Sequence, residues 1–129
     1  MTPIEFTVRT GARIEAREIT GDIQRLVKGK DGRLVHVYVP HTTCGLTINE
    51  NADPSVMKDI MDALGRTVPA GYPYRHGEGN ADAHIKAVMT GSSVTVPLHN
   101  GGLGLGTWQG IFLMEFDGPR QRKVLVTVL

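Results

Sequence analysis

The densest chemistry in this sequence lies between His41 and Pro54: an imidazole at His41, the hydroxyls of Thr42 and Thr43, the chain's one thiol at Cys44, then Asn49, Glu50 and Asn51 just before Asp53-Pro54. Leu46 and Ile48 sit among these polar groups and look like core residues. Polar groups close to a core must find partners or cost stability. Two readings follow. The stretch is either one wall of a functional site or a short buried strand flanked by two loops, with each polar group satisfied locally. Glu50 is the acid of interest, because a carboxylate near imidazoles can move a proton or hold a metal. Asn49 and Asn51 are candidates for contacting substrate, although polar residues before a cap also suit a plain helix entrance.

Two further imidazoles, His76 and His84, precede and enter a second helical segment. With Asp82 as the cap, His84 falls in the first turn, where backbone N–H groups form a natural anion site. On the same helix Asp82 and Lys86 are spaced four apart and can pair. Together with His41, these histidines could hold a divalent metal such as zinc or magnesium through ring nitrogens. The opposing reading is one surface-loop histidine and one hydrogen-bonded inner one, since there is no His-x-x-x-His and no cysteine pair.

Three other positions carry weight. Gly101, Gly102, Gly104 and Gly106 precede Thr107-Trp108-Gln109. No Gly-Lys-Ser/Thr follows, so this is not a phosphate-binding loop of the P-loop kind, and a tight turn is the better reading. Trp108 is either core or a stacking wall. Glu115 alternates with Ile111 and Leu113 on one strand face, so it must be paired with an arginine or act as a site acid. Cys44 has no adjacent basic motif and reads as an inert core residue.

The elements that must position these groups are legible from periodicity. Phe6 to Arg9 and Ile14 to Ile19 read as a hairpin turning at Gly11. Asp22 to Lys28 is a short amphipathic helix, with Thr20 or Asp22 as its cap. Arg33 to Val39 is a strand with Val35, Val37 and Val39 on one face; His36, on the other, reads as structural. Asp53 caps a helix that Pro54 opens and Gly65 closes, with Met57, Ile60, Met61 and Leu64 inward. A second helix spans Asp82 to Thr90, capped like the first, with Ile85, Val88 and Met89 inward and His84 directed to the interior. Strands follow at Ser92 to Leu98, Gln109 to Phe116 and Gln121 to Leu129. The last, apolar on both faces but for Thr127, should be covered on both sides by core and by a helix or a neighbouring subunit.

Bulk properties narrow the function classes. A chain of 129 residues is expected to form one domain with an adequate core. A net charge of +1, from 14 basic and 13 acidic residues, lacks the basic excess of a nucleic-acid binder. No apolar run suggests a membrane span or a signal peptide, and one cysteine excludes an intrachain disulfide, so the cytoplasm is the expected setting.

Several of these segments together resemble the YjbQ family. His41-Thr-Thr with Leu46-Thr-Ile-Asn-Glu-Asn-Ala-Asp-Pro54 is similar to its first motif, Asp82-Ala-His84-Ile-Lys86 with Gly91-Ser-Ser93 to its second, and Leu105-Gly-Thr-Trp-Gln109, Glu115 and Asp117-Gly-Pro-Arg120 to its third. The resemblance implies an α+β fold, antiparallel sheets or a sandwich with two or three short helices, assembled as a homotrimer. It also implies a weak, secondary thiamine-phosphate synthase activity, joining hydroxymethylpyrimidine diphosphate to a thiazole phosphate with release of diphosphate. On that reading His41, Glu50, His84, Lys86, Gln109 and Glu115 are the catalytic candidates. Asn49, Asn51, Asp82, Ser92 and Trp108 contact substrate, and His41, His76 and His84 are the metal candidates. The alternatives are a metal- or anion-binding trimer without turnover, and a hydrolase using metal-activated water.

Overall fold

The computed structural model describes residues 2–129. Two antiparallel sheets face each other, and helices cover one outer face. The larger sheet has the strand order β1 (Ile4–Arg9), β8 (Gln121–Val128), β3 (Leu34–Tyr38), β5 (Ser93–His99), β6 (Gly102–Leu103). The smaller has the order β2 (Glu15–Glu18), β7 (Gln109–Glu115), β4 (Cys44–Glu50). With helices α1 (Thr20–Val27), α2 (Pro54–Thr67) and α3 (Ala81–Thr90), the chain is α+β, as the family resemblance implied.

Alternation decides which side chains fill the space between the sheets. Val35, Val37 and Val39 point inward from β3, as do Val124 and Val126 from β8. They meet Cys44 and Leu46 of β4 and Ile111 and Leu113 of β7, and α1 closes this core with Ile23 and Val27. The opposite face of the small sheet, Phe112 and Met114, lies under Met57, Ile60 and Met61 of α2 and Ala83 and Ala87 of α3. β7 is therefore buried from Gly110 to Glu115 without a break. β7 is thus covered on both faces within the chain, whereas β8 buries Val124 and Val126 and leaves its outward residues Leu125 and Thr127 partly exposed in the single chain.

The expected hairpin near Gly11 does not form. β1 pairs with β8 and β2 pairs with β7, so the chain changes sheets between Arg9 and Glu15. Thr10 drives the change: its N–H donates to the Arg120 carbonyl at 2.9 Å, and its hydroxyl donates to Glu115 at 2.8 Å. These bonds take the place of a local turn.

Helix ends follow local chemistry, with three departures. Asp53 caps α2 as expected, accepting from the Ser55 N–H, with Pro54 at the first position. Gly65 does not stop that helix. It continues to Thr67, and Pro69 ends it by keeping Val68 out of the helical region. At α1 the cap position is Ile19, with no side-chain cap. Thr20 instead accepts from the Ile111 N–H at 2.8 Å, tying the helix to β7.

The third departure is the orientation of α3. Asn80 holds the cap position without a side-chain capping bond; Asp82 is the second residue of the helix and points inward with Ala83, Lys86 and Ala87. Ile85, Val88 and Met89 face outward, with Val88 83% exposed. Hydrophobicity favoured the opposite face, but close approach overrides it. A Cβ on Gly45 of β4 would stand 2.7 Å from the Gly91 carbonyl and 2.9 Å from Thr90 Cβ. Only a helix with small inward residues packs that near a strand. The two charges it buries neutralise each other, Lys86 to Asp82 at 3.1 Å, with Arg13 making a second pair to Asp82.

Candidate functional site

Half of the segment His41–Pro54 is strand: β4 runs from Cys44 to Glu50, which matches the strand reading. Its pairing with β7 runs from Cys44 opposite Glu115 to Glu50 opposite Gln109. Six residue steps of about 3.3 Å separate the two ends by about 20 Å. The sequence-derived site residues are thus divided. His41, Glu115 and the His84 end of α3 stand at one end; Asn49, Glu50, Asn51, Trp108 and Gln109 stand at the other.

The histidine end is built around an ion pair. Glu115 lies fully buried on β7 and accepts from Arg122 Nε at 2.9 Å, from a second Arg122 nitrogen, from the Thr10 hydroxyl, and from the N–H groups of Phe116 and Asp117. Burial pushes its carboxyl up, but the bonds from Arg122, Thr10 and Asp117 outweigh this and hold it below the usual carboxylate range. Glu115 is the arginine partner foreseen as one of its two roles. Arg122 also donates to the Thr43 hydroxyl at 2.8 Å, which fixes the loop that carries His41. At Gly118 an added Cβ would strike the Ala12 carbonyl and the Glu115 side chain, so this crossing of segments requires glycine.

His41 leaves the end of β3 and accepts the Lys123 N–H at Nε2, 2.8 Å away. That bond requires an unprotonated Nε2, which assigns the ring proton to Nδ1. Burial, and then the Arg122 charge, hold its pKa below the ordinary imidazole value. His41 is therefore a neutral ring near pH 7. Opposite it, His84 occupies the first turn of α3, at the positive end of the helix dipole, where the Ala83 and His84 N–H groups donate to the Asn80 carbonyl.

Two clefts share His41, Thr42 and His84. One, of about 340 Å³, is polar, and its wall includes Glu78, Asn80, Asp117, Arg120 and Arg122. The other, of about 400 Å³, is apolar, adding Cys44, Ala87, Val88 and Gly91, with Ser92 at its edge. In the polar cleft Asn80 donates to Asp117 Oδ2 at 2.8 Å, and Arg120 donates to the same oxygen at 3.1 Å and to the Asp117 carbonyl at 2.8 Å. Burial raises the Asp117 carboxyl, and the Asn80 and Arg120 bonds bring it below its ordinary value. Asn80 Oδ1 is buried and has no partner among the described residues. It is an acceptor in want of a donor on the wall of this cleft. Burial pushes the Cys44 thiol up to about 11, so it contributes volume and no nucleophile.

The remaining candidates are placed elsewhere. Lys86 is buried against Asp82 on the inner side of α3, away from both clefts, and Asp82 is occupied by Arg13 and Lys86. Neither faces a substrate in this cleft. Gln109 accepts the Gly106 N–H at 2.8 Å and closes the glycine turn. Trp108 is 63% exposed and so is not core. Asn49 accepts the Glu50 N–H, while Asn51 donates to Glu18 at 2.8 Å. His36 bonds Thr95, in keeping with a structural role.

A metal held by His41, His76 and His84 does not fit one chain. The His41 Nε2 lone pair is taken by Lys123, and His76 packs edge-on against His84 with ring centroids 5.3 Å apart. Among the described residues no group of three or more His, Cys, Asp or Glu stands close enough to hold an ion.

Sequence reasoning missed Asn80, Arg120 and Arg122 as cleft residues. Arg120 closes the Asp117-Gly-Pro-Arg120 motif, and Arg122 alternates inward with Val124 and Val126. A lone arginine on a buried strand face opposite a lone glutamate was the available signal.

The described residues include no helix long and apolar enough to cross a membrane. The family model described as UPF0047 protein YjbQ-like matches residues 4–129. A UPF0047 protein of Archaeoglobus fulgidus is 47% identical over 98% of this chain and all of its own length. YugU of Bacillus subtilis, also a UPF0047 protein, is 42% identical over 95% of each chain. Among solved structures, an uncharacterised conserved YjbQ/UPF0047 protein from Clostridium acetobutylicum superposes with a TM-score of 0.94 at 46% identity, covering 98% of this chain and 99% of that one. A conserved hypothetical protein from Thermus thermophilus gives 0.93 at 42% identity, with the same coverage.

Proposed function

This chain belongs to the YjbQ-like UPF0047 family, and on that premise we propose that it takes a phosphorylated small molecule between His41 and His84. The observation that carries the reading is the sharing of these two imidazoles by a polar and an apolar cleft. A phosphate-bearing ring compound has those two halves. Its phosphate faces Arg120, the Nδ1–H of His41 and the first turn of α3. Its ring lies against Cys44, Ala87 and Val88.

The reaction we assign is the weak thiamine-phosphate synthase step, in the cytoplasm. The carbon–oxygen bond of hydroxymethylpyrimidine diphosphate breaks and the electron pair leaves with diphosphate. The thiazole nitrogen supplies the pair for the new carbon–nitrogen bond. Charge developing on the leaving oxygens meets preorganised donors: Arg120, the His41 Nδ1–H and the helix N-terminus. Glu115 positions Arg122, and through Thr43 the His41 loop, rather than touching substrate. We further propose a homotrimer that covers the outward Ile85, Val88 and Met89 of α3 beside the apolar cleft.

One observation favours a second reading, binding without turnover. The buried carboxylates at this end, Glu115 and Asp117, are consumed by cations and amides, which leaves the imidazoles and the exposed Glu78 beside His76 to move protons.

Diphosphate release, followed by phosphorus NMR, tests both readings. Synthesis needs the two substrates together, hydrolysis needs one, and a binder releases none. Arg120→Ala should lower synthesis on the order of 10²-fold, the scale of losing one charge-stabilising donor. An unchanged rate would remove this cleft from the reaction. Absence of release, with diphosphate binding weakened by the same variant, would leave the binder.

A further inference from the structure

At the other end of β4 lies a larger cavity that the proposed function does not use. It measures about 620 Å³, within the usual range for a small-molecule site, and opens between α2 and the β2–β7–β4 sheet. Its floor is apolar: Ile14 and Ala16 from the β2 side, Phe112 from β7, and Met57 and Met61 from α2. Methionines on a cleft floor adapt to the outline of what they contact.

The rim is mostly negative. Glu15, Glu18, Glu50, Asp53 and Asp62 stand around the floor against Lys58, with Glu15 paired to Arg17 at 3.6 Å. The positions are held by short bonds. Asn51 donates to Glu18 at 2.8 Å, and the Asp53 N–H donates to Glu50 at 3.2 Å. Two bonds from Ser55, backbone first, keep the Asp53 carboxyl below the usual range. Asp62 has no hydrogen bond or ion pair among the described residues. The chain as a whole carries +1, so this negative surplus is local.

We propose that this cleft binds an organic cation, an ammonium group carried on an aromatic or branched alkyl body. The apolar body fills the space over Met57, Met61 and Phe112, and the cation faces the carboxylates. A metal ion lacks the body that would cover the floor, and an anion meets the wrong field. The inference is independent of the phosphate reading, since the two sites sit at opposite ends of one strand and call for opposite charges.

The test uses the whole protein with carbon-13-labelled methionine methyls, titrated at low salt with benzyltrimethylammonium. Neopentylbenzene, the same shape without the charge, is the control. The expected result is saturable shifts at Met57 and Met61 but not at Met89, with the cation binding about tenfold more tightly than the isostere. Glu50→Gln and Asp62→Asn should each weaken the cation about threefold and leave the isostere unchanged, as expected for partly screened charges. Both variants keep the shape of the side chain, and Gln can still accept the Asp53 N–H, so a native spectrum is expected. Equal binding of cation and isostere would overturn the charge assignment. Absence of saturable shifts at Met57 and Met61 would overturn the site.

Discussion

Glu115 and Arg122, seven residues apart in the chain, meet across the seam between the two sheets with side chains 0% and 4% exposed. The pair joins β7 to β8, and through Thr43 it fixes the loop that presents His41. Removing one partner leaves a buried charge without its counterion. Glu115→Ala should therefore cost about 3–5 kcal/mol in denaturant unfolding, and Arg122→Ala a similar amount. Glu115→Leu combined with Arg122→Met should recover most of that loss. If the double variant is no better than the singles, packing rather than charge governs this seam.

Acid should weaken the fold in two steps. Burial, then Arg122, keep His41 below its ordinary pKa, so between pH about 6.5 and that lower value the unfolded chain binds a proton the folded one refuses. Stability falls across this window, and His41→Asn should remove that part of the loss. The second step belongs to Asp82, Glu115 and Asp117. Burial raises each, but bonds from cations and donors bring each below its ordinary value. Their contribution is complete above pH about 4 and is lost as pH falls through the folded values. Urea midpoints between pH 8 and pH 3 would resolve both steps. A flat profile from pH 7 to 5 in the parent would contradict the His41 assignment.

Gly45→Ala probes the contact between β4 and α3. The new methyl meets the Gly91 carbonyl and Thr90, so α3 must move outward. The expected cost is about 1–3 kcal/mol. His84 rides on α3, so diphosphate affinity should fall as well, even though residue 45 touches no ligand. Full affinity in a destabilised variant would separate the helix contact from the cleft.

Outward and inward valines should respond differently. Val88→Asp places a charge on the exposed face of α3 and should leave the thermal midpoint nearly unchanged while lowering the mass seen in light scattering. Val126→Asp buries an unpaired carboxylate between the sheets and should prevent folding. A Val88→Asp protein of unchanged mass would mean that another surface assembles the subunits.

Chelation addresses the metal. Because His41 Nε2 is occupied and no three-ligand group forms among the described residues, dialysis against EDTA should leave diphosphate affinity within about twofold. A tenfold loss restored by zinc or magnesium would place an ion between the imidazoles and the ligand, with further ligands from a second subunit.

Much of the fold was legible because its signals are local. The valine alternation of β3, the Asp53-Pro54 helix entry and the glycine turn at Gly101 each lie within a few residues. The orientation of α3 was not legible. Hydrophobicity placed Ile85, Val88 and Met89 inward, whereas the deciding quantity was the space left beside Gly45, which belongs to another element. The partition of β1 and β2 between sheets was hidden for the same reason: their partners lie more than 90 residues away. His41 and His84, singled out by residue type and helix position, line the same two clefts. Glu50, Lys86 and Gln109 were grouped with them only because a linear reading gives no distance along β4 and no side to α3.

β7 has a consequence for how the molecule comes into being. It is the one strand shared by β2 and β4, and its pairing of Glu15 with Glu115 spans 100 residues. Neither partner has anything to bind until most of the chain has left the ribosome, and contacts so remote in sequence close slowly. The small sheet, the ion pair and both clefts should therefore form together and late, with β7 amides the slowest to exchange with solvent. A nascent chain halted before Gln109 would hold helices and the β3–β5–β6 part of the large sheet but no site at all.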